Sequence, residues 1–442
     1  MRTRWLALLA PLLGLAACGS DATEAPVVSD VAAQISAEMG TVVEVTWRTD
    51  IPTQGAIEFG EDDRYGRITS RETAPTKNHS ALLVGCPQDV DIQFRVLSDG
   101  APDDRTHTVS TGTLDGAPEL GVEGEQDLFL TLPIVTDDLT QITVVDPKGR
   151  VVWLHEDTRQ TSVFRARVAR DGSGIVYAAT VYRGEPHQGS AIVRVPWDGS
   201  AATVIDIPWL AHDFVELDDG TLVSLSYEYR DDIQGNKLIQ IDPDGTVTDL
   251  WSAWDCFDPE THISSDPDHG WIHANALDYD ASTDSFLVGM RNLSSIVRVD
   301  RGTGECVWTL GRGAGDVEQS GGTFVHQHQF GWFGDRFLVF DNDGAPGLES
   351  RVLEYDFDEA TGTAQVARTI VGETPIFSLI LGDVHRLDDG DTVVVWSAAA
   401  LAERVAEDDS RSWSISGPDG SIFGFTEPWT DPGRPDLGPH FP

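Results

Sequence analysis

Two histidines, His326 and His328, stand two apart in "TFVHQHQFGWFGDRFLVFDND", residues 323–343, ahead of an apolar, strand-like run. With an unperturbed pKa near 6.5, imidazole can serve as nucleophile, proton carrier or metal ligand close to neutral pH. Residues two apart on a strand point to one face. The pair therefore suits a metal clamp, or one reacting histidine with a neighbour. Two more histidines head similar runs: His212 in "HDFVELDDGTLVSL" and His273 in "HANALDYDASTDSFLVGM". Three imidazoles can hold a catalytic zinc with an open fourth position. Alternatively, one can act as nucleophile while the others supply donors to developing charge.

The elements that carry these histidines repeat. Laid over one another, the segments at His212 and His328 bring Asp219 onto Asp335 and Leu222-Val223 onto Leu338-Val339. "GDVHRLDDGDTVVV" repeats Leu217–Gly220 as Leu387–Gly390, and "FRARVARDGSGIVYAA" places Gly172 on Gly220. Each copy reads as an inner strand, an Asp/Gly turn and an apolar second strand. An "IVRVD"- or "LIQIDPDG"-type strand follows, and often a Trp-bearing strand. Four strands at a period of about fifty residues are the signature of a β-propeller blade. Starts near Leu128, Phe164, His212, His273, His328 and Gly382 predict six blades over residues 125–430, with a tail at 431–442. In this register His328, rather than His326, matches His212, and His273 falls at about the same place. Three successive blades then present a histidine at one mouth of the central channel, while Phe164 and Gly382 show that the fold does not demand one. The DDG and DPDG turns serve hairpin backbones before they suggest calcium.

Ahead of the repeats, residues 27–114 alternate apolar and polar in short runs such as "TVVEVTWRTD". This pattern predicts a small β-sandwich with Trp47 inside, resembling fibronectin type III modules, joined to the repeats by a linker, "TLDGAPELGVEGEQ". The chain is thus expected to be all-β. Residues 1–17 read as a signal peptide, with Arg2 and Arg4 before an apolar core, and Leu15-Ala16-Ala17-Cys18 resembles a bacterial lipobox. Cys18 is then lipidated and residues 18–26 form a tether, placing the protein on the periplasmic side of the envelope or on the outer membrane. Of the remaining cysteines, Cys86, Cys256 and Cys306, at most one intramolecular pair forms, and Cys256–Cys306 is the expected one. The chain has 30 Lys+Arg against 73 Asp+Glu. That balance argues against nucleic acid, and an anionic substrate would need a local cationic funnel.

The stretch from Trp271 to Arg312 resembles the signature blade of bacterial arylsulfate sulfotransferases. Trp271, His273 and Asn275 match its Trp-x-His-x-Asn start, Arg291 its strand arginine, and Gly304-Glu305, Trp308 and Leu310-Gly311 its close. His212-Asp213 and Gln327-His328, the latter before "VFDN", match the flanking blades. Ala276 and Gln329 depart from the family pattern, which bears on substrate identity. The resemblance implies a six-bladed propeller that moves a sulfuryl group from a phenolic sulfate ester to a phenolic acceptor, without cofactor or nucleotide sulfate. It implies His328 as nucleophile, with His212, His273 and Arg291 as catalytic partners. Asn275 and His326 would contact substrate. The expected partners are donor, acceptor and a membrane reached through the anchor, and a homodimer is left open. A non-catalytic binding propeller, a sulfate-ester hydrolase and a three-histidine zinc site remain the alternatives.

Overall fold

The computed structural model describes residues 25–136, 139–159, 162–181, 189–342 and 348–431. Cys18, the proposed signal peptide and most of the tail lie outside them. Among the described residues the chain is all-β, with four short 3-10 turns and no α-helix.

Residues Val28–Ser110 form two facing sheets. The strand Val43–Thr53 alternates buried and exposed positions, so its apolar face, including Trp47, joins Ile57, Phe59, Phe94 and Val96 in one core. His79 stacks on Trp47 at 4.9 Å. The sandwich is fastened to the repeats. Thr41 Oγ1 donates to the Val152 carbonyl (2.7 Å), Arg67 pairs with Asp431 (2.6 Å), and Lys148 and Arg150 both reach Glu61.

The remaining strands make six blades around one axis, antiparallel but for Glu318–Ser320, which pairs in parallel on the outer edge of the fifth. Their inner strands are buried along most of their length, as Leu210–Glu216 and Gly174–Thr180 show. Two closures depart from the sequence expectation. The first blade does not begin with its innermost strand near Leu128: Phe129–Val135 is its second strand, and Ile422–Phe423 and Glu427–Trp429 at the chain's end pair on its inner side. The expected linker contains Gly121–Gly124, which pairs with Arg411–Ser416 as the outer edge of the sixth blade. An edge strand needs only its backbone groups for pairing, so this glycine-rich piece carries no alternation to betray it. The two ends of the repeat region are thus sewn into different blades.

The acidic turns hold themselves. Asp219 accepts from Thr221 N–H at 2.9 Å, Asp244 from Thr246 N–H at 2.9 Å and Asp389 from Asp391 N–H at 3.0 Å. That is the hairpin use of aspartate expected from the sequence.

Candidate active site

In the second to sixth blades the two inner strands form a hairpin, and one rung fixes the register beside each turn. These rungs are Val168–Ile175, Glu216–Leu222, Tyr279–Phe286, Trp332–Phe337 and Arg386–Thr392. Four residues before the rung stand Phe164, His212, Asn275, His328 and Gly382. Five residues past it stand Thr180 and Tyr227 on the second strand, and Arg291, Asn342 and Ser397 just beyond its end. Each blade thus offers two positions to one mouth of the channel.

This frame corrects the sequence register. His212 and His328 are equivalent, but the third place belongs to Asn275. His273 lies two residues upstream, in the place that His326 occupies in the next blade. His326 and His328 do not share a strand face either, because the strand begins only at Phe330 and His326 has a φ of 55°. His212 (31°), His273 (48°) and Leu381 (54°) are also left-handed. Bulges at Ala211/Phe214 and Ala274/Ala276 break the ladder nearby. Local bulges and left-handed residues re-aim side chains in ways that no period-two pattern reports.

His328 is buried and held at both ring nitrogens. Asn342 Nδ2 donates to the carbonyls of Ser378 (2.7 Å) and Leu381 (2.8 Å), which turns its Oδ1 toward His328 Nδ1 at 2.9 Å. A carboxamide oxygen only accepts, so Nδ1 carries the proton and Nε2 the lone pair. Nε2 in turn accepts the Leu381 backbone N–H at 3.1 Å. Burial, with the charge of Arg291, pushes the His328 pKa down to about 3, although the bond to Asn342 opposes the shift.

His212 and His273 face each other with ring centroids 4.8 Å apart, and Phe164 stacks on the other side of His212 at 5.9 Å. Burial, His328 and Arg291 bring the His212 pKa to about 3. His273 keeps some solvent access and donates from Nδ1 to the His269 carbonyl at 2.9 Å. Desolvation, His212 and Arg291 hold its pKa well below the usual value. His326 bonds Ser265 Oγ through Nε2 at 2.9 Å, and its pKa is lowered by burial and Arg291. The Arg291 charge is therefore felt by all four imidazoles. Its Nη1 is fixed by Asn292 Oδ1 (2.8 Å) and Asp266 (3.3 Å), while Nε and Nη2 make no hydrogen bond among the described residues.

Asn275, expected at the substrate, is fully buried and donates from Nδ2 to the Gln327 carbonyl at 2.7 Å. Its place is beneath the mouth, holding the residue before His328. Sequence reasoning missed Asn342, Tyr227, Leu381 and Asp266. Asn342 had a signal, since "VFDN" was already singled out and places it at the register position of Arg291.

Cys256 and Cys306 are disulfide-bonded, with Cα atoms 6.4 Å apart. The bridge clips the start of the segment between the third and fourth blades that carries Ser265, Asp266 and His269. Among the described residues no three His, Cys, Asp or Glu side chains converge to hold a metal ion. A cavity of about 420 Å³ lies at the turn side of the inner strands, lined by Arg167, Asp278, Trp332 and His385 among others. Burial raises the Asp278 pKa there to about 6. None of the four histidines of the opposite mouth lines this cavity, whose own imidazole is His385 and whose cations are Arg165 and Arg167.

A family model described as Arylsulfotransferase (ASST) matches residues 121–416. No curated protein matches the chain. Among solved structures, it is similar to a protein of unknown function from Bacteroides caccae at 9% identity, covering 69% of this chain and 100% of that one, with a TM-score of 0.47. Virginiamycin B lyase from Staphylococcus aureus is 12% identical over 67% of this chain and 87% of its own, at 0.39. A periplasmic gluconolactonase from Pseudomonas aeruginosa is 12% identical over 67% and 99%, also at 0.39.

Proposed function

The chain belongs to the arylsulfotransferase family, and from that premise we propose that it transfers a sulfuryl group between phenols through a sulfated His328, with no nucleotide sulfate donor. The observation that carries this reading is the state of His328: a buried neutral imidazole whose proton is fixed on Nδ1, beside a cation with unspent donors.

In the first half-reaction the Nε2 lone pair attacks sulfur. The sulfur–aryl oxygen bond breaks, and its electron pair leaves on the phenolate. Nε2 must first give up the Leu381 N–H, at a cost of about 1 kcal/mol. That N–H then stands beside the sulfuryl oxygens as a fixed donor. Arg291, through Nε and Nη2, takes up the charge spread over the same oxygens. His273 and His212, neutral in the free protein, become protonatable once an anionic ester enters, and supply the phenolate with its proton. Sulfated His328 keeps its Nδ1–H on Asn342, so the positive charge on the ring meets a carbonyl oxygen. In the second half-reaction the acceptor oxygen attacks sulfur, the N–S bond breaks, and its pair returns to Nε2. The acceptor's proton passes to His212 or His273.

The test is a sulfated phenol reporter with and without a second phenol. Phenol release that depends on acceptor supports transfer, release to water alone supports a hydrolase, and no release supports a binding propeller. Mass spectrometry after brief mixing with donor alone is expected to map the sulfate to His328; sulfate on His326 would overturn the assignment. We further propose export and lipid anchoring through Cys18, so that Cys18→Ser moves the protein from the membrane to the soluble fraction.

A further inference from the structure

Directly beneath the histidines lies a buried layer, which the turn-side cavity reaches at Arg165 and Gln329. One residue after each mouth position stand Arg165, Asp213, Ala276, Gln329 and Asp383, and all five are buried. Arg165 contacts three of the other four. Its Nε and Nη2 donate to the two oxygens of Asp213 (2.9 and 3.2 Å), Nη2 also donates to Gln329 Oε1 (2.7 Å), and Nη1 lies 3.5 Å from Asp383 Oδ2. The guanidinium sits 4.1 Å over the Phe425 ring. Its acceptors tie in the rest of the ring of strands. Asp213 takes the Leu277 N–H of the fourth blade at 2.9 Å, and Asp383 takes the Thr426 N–H of the closing segment at 2.7 Å. Although burial opposes it, Asp213 and Asp383 hold the Arg165 pKa up, so the charge stays.

Every hub residue adjoins a residue of the mouth. Phe164 precedes Arg165 and stacks on His212; His212 precedes Asp213; His328 precedes Gln329. Leu381-Gly382 precede Asp383, and Leu381 supplies the N–H on His328 Nε2. A buried ionic hub is weak evidence for stability, because apolar residues of similar volume can hold a core as well. What a planar five-donor fork does, and apolar packing does not, is set direction. We propose that Arg165 is a positioning residue, whose guanidinium locks four inner strands in register and so sets the spacing of His212, His328 and the Leu381 N–H. Its kinetic consequence rests on the sulfuryl-transfer reading; its structural consequence does not.

Two variants test it. Arg165→Lys keeps the charge and loses the fork. Gln329→Leu removes the link to the fifth blade without unpairing a carboxylate, and serves if the first fails to fold. For each, the unfolding midpoint, the ring ¹⁵N shifts of His212 and His328, and kcat and KM for a sulfated phenol are measured. The expected result is a folded protein whose histidine shifts lose the fixed Nδ1–H pattern of His328. Its kcat falls about 10²-fold, as for a reacting group misplaced by about 1 Å, with KM little changed. Unshifted histidine signals in a folded variant overturn the proposal, as does kcat within twofold of the parent. If the parent itself transfers no sulfate, the functional reading fails and the ¹⁵N arm still decides the role of Arg165.

Discussion

The fourth and fifth blades use the same two mouth positions for opposite purposes. In the fourth, an asparagine stands on the inner strand and an arginine just past the second: Asn275 is buried, and Arg291 keeps Nε and Nη2 unbonded among the described residues. In the fifth the amide has changed sides, so that Asn342 is the support and His328 the group it aims. Each amide also reaches forward, Asn275 to the Gln327 carbonyl of the next blade and Asn342 to the Ser378 and Leu381 carbonyls leading into the sixth. Asn236 does likewise from the third blade, accepting the Ala274 N–H at 2.9 Å. Stitching between blades is therefore part of the repeat. On the proposed reading, the chemistry depends on which of two equivalent positions is left for a reactive side chain.

The largest effect separating the two blades is expected from His328→Ala, which should lower donor turnover on the order of 10⁴-fold or more by removing the covalent route. Turnover that survives in this variant would transfer the role to another histidine. Arg291→Ala, measured as kcat/KM on the same reporter, should cost about 10²–10³-fold, the usual toll for losing a donor to developing charge. The two asparagines break the comparison most cleanly. Asn342→Ala should lower kcat roughly 10²-fold, since the His328 tautomer is no longer fixed. Asn275→Ala should appear chiefly in the denaturation midpoint, at about 1–3 kcal/mol, because the Gln327 carbonyl loses its buried donor. Equal kinetic losses in both would erase the distinction drawn here.

His326→Ala should change turnover only a few-fold, as His326 bonds Ser265 and acts on His328 only through charge, a smaller influence than burial, Asn342, Arg291 or His273. The last effect concerns pH. His328, with a pKa near 3, stays a neutral nucleophile well below 6.5, whereas His212, also near 3, must take up a proton before it can give one to the phenolate, so kcat/KM should rise rather than fall as pH drops from about 7 to about 5. Stability should behave differently. Both folded pKa values lie below that of an unfolded histidine, so the unfolded chain binds the protons first. Their contribution is present above pH 6.5 and is lost as pH falls from 6.5 toward 3. Thermal melts across that window should show the slope, and His212→Ala should flatten it.

Much of the propeller was legible because a blade is a local object. Strand, turn and strand are neighbours in sequence, and the Asp/Gly turns and apolar alternation follow from φ/ψ and burial within a few residues. The count of six came through for that reason. The closures did not, since Gly121–Gly124 and Glu427–Trp429 find partners hundreds of residues away or at the opposite end of the repeats, and neither carries a strong pattern of its own. In the site, His212, His273, His328 and Arg291 were all found from residue type and motif, and the structure does bring them together.

Their register and supports were another matter. His273 was placed level with His212 and His328 by counting along the chain, yet a bulge and a left-handed backbone put Asn275 there instead. Nothing in the sequence singled out Arg165. The sequence by itself determined the blade number, the strand type and which imidazoles and arginine gather at one mouth, because these depend on local backbone preference and on motifs that a residue carries with it. Only the tertiary structure decided which nitrogen of His328 holds the proton, which asparagine orients it, and where Arg165 finds its three acceptors. Each of those is a meeting of buried groups brought together across strands or across blades. There a hydrogen bond can be neither replaced by solvent nor read from spacing along the chain.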